Sequence, residues 1–311
     1  MQNQQSKSVA LLIPCFNGLH FLPELLQQLE DAEEYFDEII LYDDASTEPF
    51  PFDPEQKFPQ IQFHRSPVNK GAAHARNQLL KLASCDYVHF HDIDDPYIPK
   101  NFLSDLKPHL QENIVAFSSW ETHWNNPKHE ITKFDYPNFE QIQDFCEFLI
   151  NSHIHLNAAI YPRQLALAAQ FNEELRLMQD LLFNLKLACL GATFVHEEKV
   201  VTKHIKNQNS TLGKTQLKTL FQYRILYCQA CKEVLPIQYY PAMGRATLYY
   251  AWDACLKNLD DEYKKLIHVA KEFGELEYQQ FGSVVSLLAP YLGLDITFHL
   301  RRWWFTMSSK Q

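Results

Sequence analysis

The sequence of 311 residues has only 8 glycines, and its 28 Lys and Arg are outnumbered by 38 Asp and Glu. The resulting formal net charge of −10 argues against a protein that binds nucleic acid through its phosphate backbone. The shortage of glycine argues against a Gly-rich phosphate loop. A polyanionic ligand would therefore need a local basic cluster, backbone N–H groups or a metal ion.

Long apolar runs are also missing. The nearest candidate for a membrane span, residues 284–294, is short and is interrupted by Pro290. The polar N-terminus leads into a short apolar segment, so no export signal is predicted. The 7 cysteines are scattered, which favours reduced thiols in a cytoplasmic protein. Cys228 and Cys231 form a C-x-x-C that we interpret as one face of a helix, because no second pair completes a zinc site.

What the sequence does contain is an alternation of strand-like and helix-like segments. Such alternation predicts an α/β fold, with a mainly parallel sheet flanked by helices, whose ligand lies at the carboxyl ends of the strands. A proline-rich segment, 48–59, is expected to lack regular structure. The predicted strands are 9–13, 38–42, 61–64, 87–91 and 114–118, and the predicted helices are 19–29, 72–83 and 101–110.

The second half of the chain changes character. Residues 119–160 are less regular, followed by a helix at 179–190 and a strand at 192–202. Beyond residue 214 no strand pattern is convincing. We therefore predict an α/β domain at 1–212 and a helical region at 213–311, whose helices are 217–234, 239–259, 261–273 and 283–300.

Polar residues follow four of the predicted strands. Each has an ordinary explanation as a cap or turn former, but four such junctions in succession favour a functional site at one edge of the sheet. The residues at these junctions are Asn17 with its neighbours Pro14 and Phe16, then Asp43 and Asp44, then Lys70 and Arg76, and finally Asp92, Asp94 and Asp95.

The last junction places three carboxylates within four residues. Asp92, Asp94 and Asp95 repel one another unless a cation lies between them. Mn²⁺ or Mg²⁺ binds few protein carboxylates and keeps positions for phosphate oxygens, so such a cation would hold a diphosphate in an acidic protein. The alternative is an acidic cluster that complements the dipole of the following helix.

The segments IPCFN, YDDASTE, NKGAAHARN and HDIDDPYIP, in this order, resemble the nucleotide-binding half of family 2 glycosyltransferases with the GT-A fold. The resemblance is good over residues 8–118 and looser over the acceptor half, 119–212. It implies that Phe16 stacks on the nucleotide base in a pocket shaped by Pro14 and Asn17. It also implies that Asp44 contacts the base or ribose, assisted by Asp43.

The resemblance assigns further roles at the later strand ends. Arg76 would meet the base or diphosphate, with Lys70 nearby, and Asp92 would touch the ribose. Asp94 and Asp95 would hold Mn²⁺ or Mg²⁺ against the diphosphate of the donor, with Asp95 favoured as the direct ligand. A UDP-sugar is the favoured donor.

The catalytic base of the family normally lies in a Glu-Asp pair that opens a helix. Here Gln179 replaces the Glu, and Asp180 holds the position that deprotonates the acceptor hydroxyl in an inverting displacement. Asp180 has the alternative of a first-turn acid without a reaction role. Residues 203–207 occupy the place of a family loop that folds over the diphosphate, so either His204 or Lys206 would contact it, or both are solvated.

Aromatic and histidine residues give weaker signals. His153 and His155 alternate on a predicted strand and are candidates for the acceptor pocket, and Trp120 and Trp124 for stacking on a sugar. The C-terminal FHLRRWWF combines Arg and Trp as in a peripheral membrane contact, or it is a helix packed on its own domain.

The resulting expectation is a metal-dependent, inverting glycosyltransferase acting on a saccharide or lipid-linked acceptor in bacterial surface polysaccharide synthesis. It would be cytoplasmic, with possible peripheral contact with the inner face of the membrane. The alternatives are a nucleotidyltransferase on a related sheet and a catalytically silent nucleotide-sugar-binding module, the latter suggested by Gln179.

Overall fold

The computed structural model describes residues 7–31, 34–47, 54–95, 98–124, 130–134, 136–206, 216–276, 279–281, 285, 288–289 and 293–308. The chain separates into two compact units, Met1–Lys214 and Thr215–Gln311. The first unit is built on a sheet and the second on helices.

The sheet of the first unit has the strand order β3-β2-β1-β4-β7-β5-β6, with β8 paired to β5. Its central strand β1 reads VALLIPC and is buried along its whole length, as expected for a strand covered on both faces. The strands are β1 (Val9–Cys15), β2 (Glu38–Asp43), β3 (Gln62–Arg65), β4 (Tyr87–Phe90), β5 (Ile114–Trp124), β6 (Ile131–Lys133), β7 (Ala159–Pro162) and β8 (Thr193–Lys206).

The strands β1 to β4 form a parallel half-sheet, in which β1 pairs with both β2 and β4 and β2 pairs with β3. Their carboxyl ends lie at the same edge, where Cys15 is opposite Asp43 and Asp43 is opposite Arg65. Apolar side chains of β1, helix α1 (Leu22–Glu30) and helix α4 (Phe102–Leu106) form a buried core against this half. The core thus fixes the edge at which the predicted site residues are placed.

The other half of the sheet differs from the prediction in detail. Residues 119–160, expected to be irregular, include the end of β5, all of β6 and helix α5, and β7 starts within them at Ala159. The strand β7 is inserted between β4 and β5 and is antiparallel to both. It has only 4 residues, all buried, too few for a readable periodicity.

The predicted fold class is nevertheless confirmed, because four of the described strand pairings are parallel and three are antiparallel. The expectation of no regular structure in 48–59 was wrong for its described part, since Pro54–Lys57 forms one helical turn that begins with proline, a position proline tolerates. The helices of this unit are α1 (Leu22–Glu30), α2 (Pro54–Lys57), α3 (Ala72–Leu82), α4 (Phe102–Leu106), α5 (Phe145–Asn151), α6 (Arg163–Ala169) and α7 (Gln179–Cys189).

The second unit confirms the predicted helical C-terminal region. Cys228 and Cys231 are buried in its first helix, as the helical interpretation of the C-x-x-C requires. Within the described residues no helix is both long and apolar enough to cross a bilayer. The helices are α8 (Leu217–Val234), α9 (Tyr240–Leu256), α10 (Asp260–Glu272) and α11 (Leu294–Ser308).

Helix α11 carries the arginines of the FHLRRWWF segment. Nη1 of Arg301 donates to the carbonyl of Phe281 (2.5 Å), and the guanidinium lies over Trp252. Nη1 of Arg302 donates to the carbonyl of Cys255 (3.1 Å). Both arginines are thus engaged within the second unit, as in a packed helix; the side chains of 303–305 lie outside the described residues.

Candidate active site

The end of β1 is tied to the loop that follows β2. Asn17 adopts φ 54° and its side-chain oxygen accepts from the backbone N–H of Thr47 (2.8 Å), while its own N–H donates to Oγ of Ser46 (2.8 Å). Pro14 is buried in β1, and Phe16 is 48% exposed. The ring of Phe16 is therefore presented at the strand edge, as its predicted contact with a nucleotide base requires.

Asp43 is fully buried at the end of β2 and closes the turn after it. Its Oδ1 accepts from the N–H of Ser46 (3.0 Å) and from the hydroxyl of Ser46 (2.5 Å). Its Oδ2 lies 3.3 Å from Nη1 of Arg65. These contacts give Asp43 a structural role in shaping the loop, and its assistance in donor binding stays a prediction.

Asp44 connects the same loop to the beginning of α3. Its carboxylate accepts from the N–H of Lys70 (3.0 Å) and of Gly71 (2.6 Å). Gly71 has φ 97°, a conformation that glycine adopts readily and other residues rarely do. The Lys70 side chain is exposed. The predicted donor contact of Asp44 would have to share oxygens that already bind backbone.

Arg76 joins the loop after β4 to the beginning of helix α7. It is 9% exposed, and its Nη2 donates to Oδ1 of Asp92 (2.5 Å) while its Nη1 donates to Oε1 of Gln179 (2.9 Å). Burial alone would raise the pKa of Asp92, but the Arg76 guanidinium outweighs it and lowers that pKa. Gln179 also donates to the carbonyl of Leu175 (2.7 Å). The bridge from Asp92 through Arg76 to Gln179 was not foreseen from the sequence.

The acidic loop after β4 holds Asp94 and Asp95 in different surroundings. Asp94 is exposed on one side, and partial burial together with the charges of Asp92 and Asp95 raises its pKa. Asp95 is 2% exposed, and its Oδ2 accepts from Nδ2 of Asn157 (2.9 Å) and from Nδ1 of His204 (3.0 Å). The structure therefore brings His204 to the predicted metal-binding segment.

Two buried histidines at the end of β4 form hydrogen bonds with this loop and with β7. Sequence reasoning did not identify them. Nε2 of His91 donates to the carbonyl of Asp95, and Nδ1 of His89 donates to the carbonyl of Ala159 (2.9 Å). Burial lowers the pKa of His89 to about 3, so this ring is neutral at pH 7. The only signal in the sequence was the HFHD pattern at the end of β4.

Asp180 is the second residue of α7, and Met178, which precedes the helix, adopts φ 63°. Nε2 of His153 donates to its Oδ2 (2.7 Å). Burial would raise the pKa of Asp180, but the neighbouring His153 outweighs it, and the pKa lies well below the usual range for Asp. The carboxylate is therefore ionised and able to accept a proton at neutral pH.

The expectation of a strand carrying His153 and His155 was wrong, since both lie in an irregular segment between α5 and β7. A hydrogen-bond chain holds this segment: Nε1 of Trp120 donates to Oη of Tyr136 (2.9 Å), which donates to the carbonyl of His153 (2.8 Å). Trp120 is thus part of the support of His153. The side chain of Trp124 lies outside the described residues.

The segment predicted to be a loop over the diphosphate is strand in its described part, because β8 continues to Lys206 and pairs with β5 to its end. His204 lies on this strand, with its ring 4.8 Å from that of His155. For Lys206 only the backbone is described, so its predicted contact lies outside the described side chains.

The residues of the acidic loop fit a hard divalent cation by their chemistry. Carboxylate oxygens and an imidazole nitrogen are ligands that Mn²⁺ accepts, and a cation would relieve the repulsion that raises the pKa of Asp94. In the part of the chain that the structure describes, no three His, Cys, Asp or Glu side chains are already arranged around one point as a metal site.

A sheet of this topology, with its site at the carboxyl ends of the parallel strands, defines a GT-A-like fold. The sequence model of "Glycosyl transferase family 2" matches residues 10–167, and the chain belongs to this family. A curated relative from Haemophilus influenzae, named as an uncharacterized glycosyltransferase, is 29% identical over 109 residues, covering 35% of this chain. The match spans 37% of the length of that relative.

Solved structures with the same fold cover nearly the whole chain. TarS 1–349 from S. aureus superposes with a TM-score of 0.68 at 17% identity, over 97% of this chain and 92% of that one. TarS in complex with UDP-GlcNAc gives 0.62 at 19% identity, over 86% and 80%. The mannosyltransferase PcManGT from Pyrobaculum calidifontis, in complex with GDP-Man and Mn²⁺, gives 0.54 at 14% identity, over 97% and 88%. At these identities the likeness concerns the fold.

Proposed function

We propose that the protein transfers a sugar from a nucleoside-diphosphate sugar to a saccharide or lipid-linked acceptor with inversion at the anomeric carbon. The observation that carries this proposal is the bridge from Asp92 through Arg76 to Gln179. It fixes the helix that begins with Gln179 and Asp180 against the donor edge of the sheet. A candidate base is thereby held beside the strand ends that would bind the donor.

In the proposed reaction, the acceptor hydroxyl oxygen attacks the anomeric carbon. A new carbon–oxygen bond forms there as the bond to the diphosphate oxygen breaks, and Asp180 accepts the hydroxyl proton. Its lowered pKa keeps Asp180 ionised but makes it a weak base toward an unreacted hydroxyl. We therefore expect proton transfer to follow the build-up of positive charge on the attacking oxygen.

His153 would hold the base in position during this step. It donates to Oδ2 of Asp180 (2.7 Å), which fixes the orientation of the carboxylate. The chain from Trp120 through Tyr136 fixes the backbone of His153 in turn. The family pattern supplies the position of Asp180, and the structure supplies the contacts that support it.

Asp94 and Asp95 would hold the divalent cation, Mn²⁺ or Mg²⁺, with His204 beside Asp95. When bound, the cation would stabilise the negative charge of the departing nucleoside diphosphate as a Lewis acid. Asp92 is paired with Arg76 and is better placed to orient the ribose than to complete a metal site. Asp95 as the direct ligand stays a prediction.

A UDP-sugar is the favoured donor, supported by the complex of the similarly folded TarS with UDP-GlcNAc. PcManGT carries GDP-Man, so the base of the nucleotide has to be tested. We place the reaction in bacterial surface polysaccharide synthesis at the cytoplasmic side of the membrane. Peripheral membrane contact through α11 is the weakest part of the proposal, because Arg301 and Arg302 are engaged within their own unit.

Gln179 does not favour a catalytically silent binding module. Its amide oxygen accepts from Arg76 and its amide nitrogen donates to the carbonyl of Leu175. A side-chain amide supplies the acceptor and the donor that these two bonds use, whereas an ionised Glu would supply acceptors alone. The departure from the family pattern is thus explained by packing, and it leaves Asp180 in place.

The decisive experiment measures release of nucleoside diphosphate from a panel of UDP- and GDP-sugars, with Mn²⁺, with Mg²⁺ or with EDTA. We expect turnover of one donor class, abolished by EDTA. Asp180→Asn should lower transfer by about 10³-fold, since the proton acceptor is lost, while donor affinity changes little.

Glu174→Gln, in an exposed position shortly before the same helix, is the matched control and should retain wild-type activity. Full transfer by the Asp180→Asn variant would refute the assignment of the base. Donor turnover that is insensitive to EDTA would refute the metal dependence.

A further inference from the structure

An open cavity of about 610 Å³ lies along helix α5 in the first unit. We propose that this cavity, which we call the α5 cavity, binds the acceptor, and that the acceptor segment it takes is an uncharged saccharide. The proposal rests on the glycosyltransferase function proposed above and names the substrate class. The polar lining of the α5 cavity consists of Gln141, Gln143, Asp144, Glu147, Asn151 and Ser152.

The α5 cavity is built on one continuous face of the helix. Asp144 precedes α5 as its N-cap, and Glu147, Phe148 and Asn151 follow at the spacing that places residues on the same face. Since α5 rises about 1.5 Å per residue, this face is roughly 10 Å long. A binding face of this length accommodates more than one sugar ring.

One end of α5, and with it one end of the α5 cavity, lies near the candidate base. At the beginning of α5, Sγ of Cys146 lies 3.6 Å from Sγ of Cys189, which ends α7. Just past the end of α5, His153 donates to Asp180 at the beginning of α7. The two helices are therefore antiparallel, and Ser152, adjacent to His153, marks the end of the cavity nearest the base. A saccharide that continues past Ser152 would bring its terminal hydroxyl to the side of His153 and Asp180.

The lining has the chemistry of a site for sugar hydroxyls. Side-chain amides, carboxylates and a serine hydroxyl offer donors and acceptors along the whole face. The half-buried ring of Phe148, held edge-on by the ring of Phe139 (5.1 Å between centroids), adds an apolar surface for the C–H face of a sugar.

The charge of the lining restricts the acceptor further. Asp144 and Glu147 line the α5 cavity, and among the residues that the structure describes no Lys, Arg or His does. A phosphate- or carboxylate-bearing polymer would be repelled there without a compensating cation. This arrangement favours an uncharged oligosaccharide over a phosphate-linked chain.

The test measures binding of uncharged di- and trisaccharides of glucose, galactose, mannose and N-acetylglucosamine to the full chain, by saturation-transfer NMR and titration. A glycerol-phosphate oligomer is the comparison ligand. We expect at least one uncharged saccharide to bind and the phosphate oligomer not to bind. Gln143→Ala and Phe148→Leu should each weaken that binding by about five- to tenfold, through a lost hydrogen bond and lost ring contact.

Gln111→Ala, an exposed Gln→Ala change outside the cavity, is the matched control and should bind like the wild type. The inference is overturned by preferential binding of the phosphate oligomer, by failure of every uncharged saccharide to bind, or by unchanged binding in both cavity variants.

Hydrolysis of the donor in the absence of acceptor separates this inference from the proposed function. Both cavity variants should hydrolyse donor at the wild-type rate and show a raised KM for the saccharide acceptor. If they hydrolyse donor and keep the wild-type acceptor KM, the α5 cavity assignment fails and the glycosyltransferase stands. If the wild type turns over no donor but binds saccharide through these residues, the enzyme proposal fails and the cavity assignment stands.

Discussion

Two acidic pairs lie at the same edge of the sheet, and their surroundings differ. The first pair is Asp43 and Asp44 at the end of β2, and the second is Asp94 and Asp95 after β4. The first pair is buried and bonded to backbone N–H groups of the loops around it. In the second pair, Asp94 is exposed on one side with a raised pKa, and Asp95 bonds to the side chains of Asn157 and His204.

The comparison shows that adjacent carboxylates after a strand serve two purposes. An acid that accepts from backbone N–H groups is stabilised by the fold and fixes a loop. An acid that is surrounded by other acids is destabilised until a cation arrives. We therefore expect substitutions in the first pair to act mainly on stability and substitutions in the second to act mainly on activity.

Among substitutions in the two acidic pairs, the largest expected effect is that of Asp94→Asn on transfer. Loss of a carboxylate from the metal-binding segment should lower kcat/KM by about 10²-fold or more at fixed Mn²⁺, because stabilisation of the leaving diphosphate is weakened. The melting temperature in EDTA should not fall. Steady-state kinetics and thermal unfolding measured on the same preparation check both statements, and a comparable loss of stability would break the distinction between the pairs.

Asp44→Asn should show the opposite pattern. In Asn one of the two carboxylate oxygens becomes an NH2 group, so at least one of the three contacts with the N–H groups of Lys70 and Gly71 is lost and the others lose the charge that strengthens them. We therefore expect the free energy of unfolding to fall by about 2 to 3 kcal/mol. Urea unfolding followed by circular dichroism measures the change. Asp31→Asn, in an exposed position after α1, serves as control and should be neutral. Wild-type stability in Asp44→Asn would show that these hydrogen bonds do not hold the loop.

Gly18→Ala should disturb the second acidic pair through packing. A Cβ at Gly18 would lie 2.6 Å from Cγ2 of Ile93, in the loop that carries Asp94. We expect a loss of about 1 to 3 kcal/mol and weaker Mn²⁺ binding. Ile93→Leu removes the Cγ2 methyl that a Cβ at position 18 would meet. The double variant Gly18→Ala/Ile93→Leu should therefore recover part of the lost stability. Additive effects of the two substitutions would argue against the steric explanation.

The smallest expected effect is the pH dependence of the contribution that Asp94 makes to the free energy of unfolding in the absence of metal. Its pKa in the folded protein is raised above the ordinary value of 3.8, so ionisation of Asp94 destabilises the fold as pH rises through the window between these two pKa values. Asp94→Asn should therefore be slightly more stable than the wild type at pH 7, by less than about 1 kcal/mol, and equal to it below that window. Denaturant unfolding in EDTA at several pH values tests the sign.

Much of the fold could be predicted because its signals are local. The continuous apolar run of β1 and the 3.6-residue periodicity of α8 read directly as a buried strand and a helix. The strand β7 was missed because its 4 buried residues carry no periodicity and its position between β4 and β5 depends on pairing distant in sequence.

As with the fold, the parts of the candidate site that could be predicted are those with local sequence signals. Family motifs identified Asp92, Asp94, Asp95 and Asp180 as candidates, and these roles remain predictions. The links among them, through Arg76 to Gln179, through His204 to Asp95 and through His153 to Asp180, join residues far apart in the chain. Such contacts have no local signature, so sequence reasoning named these residues without pairing them.

Gln179 also changes the electrostatics of the cleft. In the family the acid that usually occupies this position would bring a second negative charge to Arg76, in addition to that of Asp92. The neutral amide leaves the guanidinium offset by a single carboxylate. A diphosphate entering this cleft would therefore meet one negative charge fewer than the family pattern implies, and a larger share of the positive potential of Arg76 would remain to attract it.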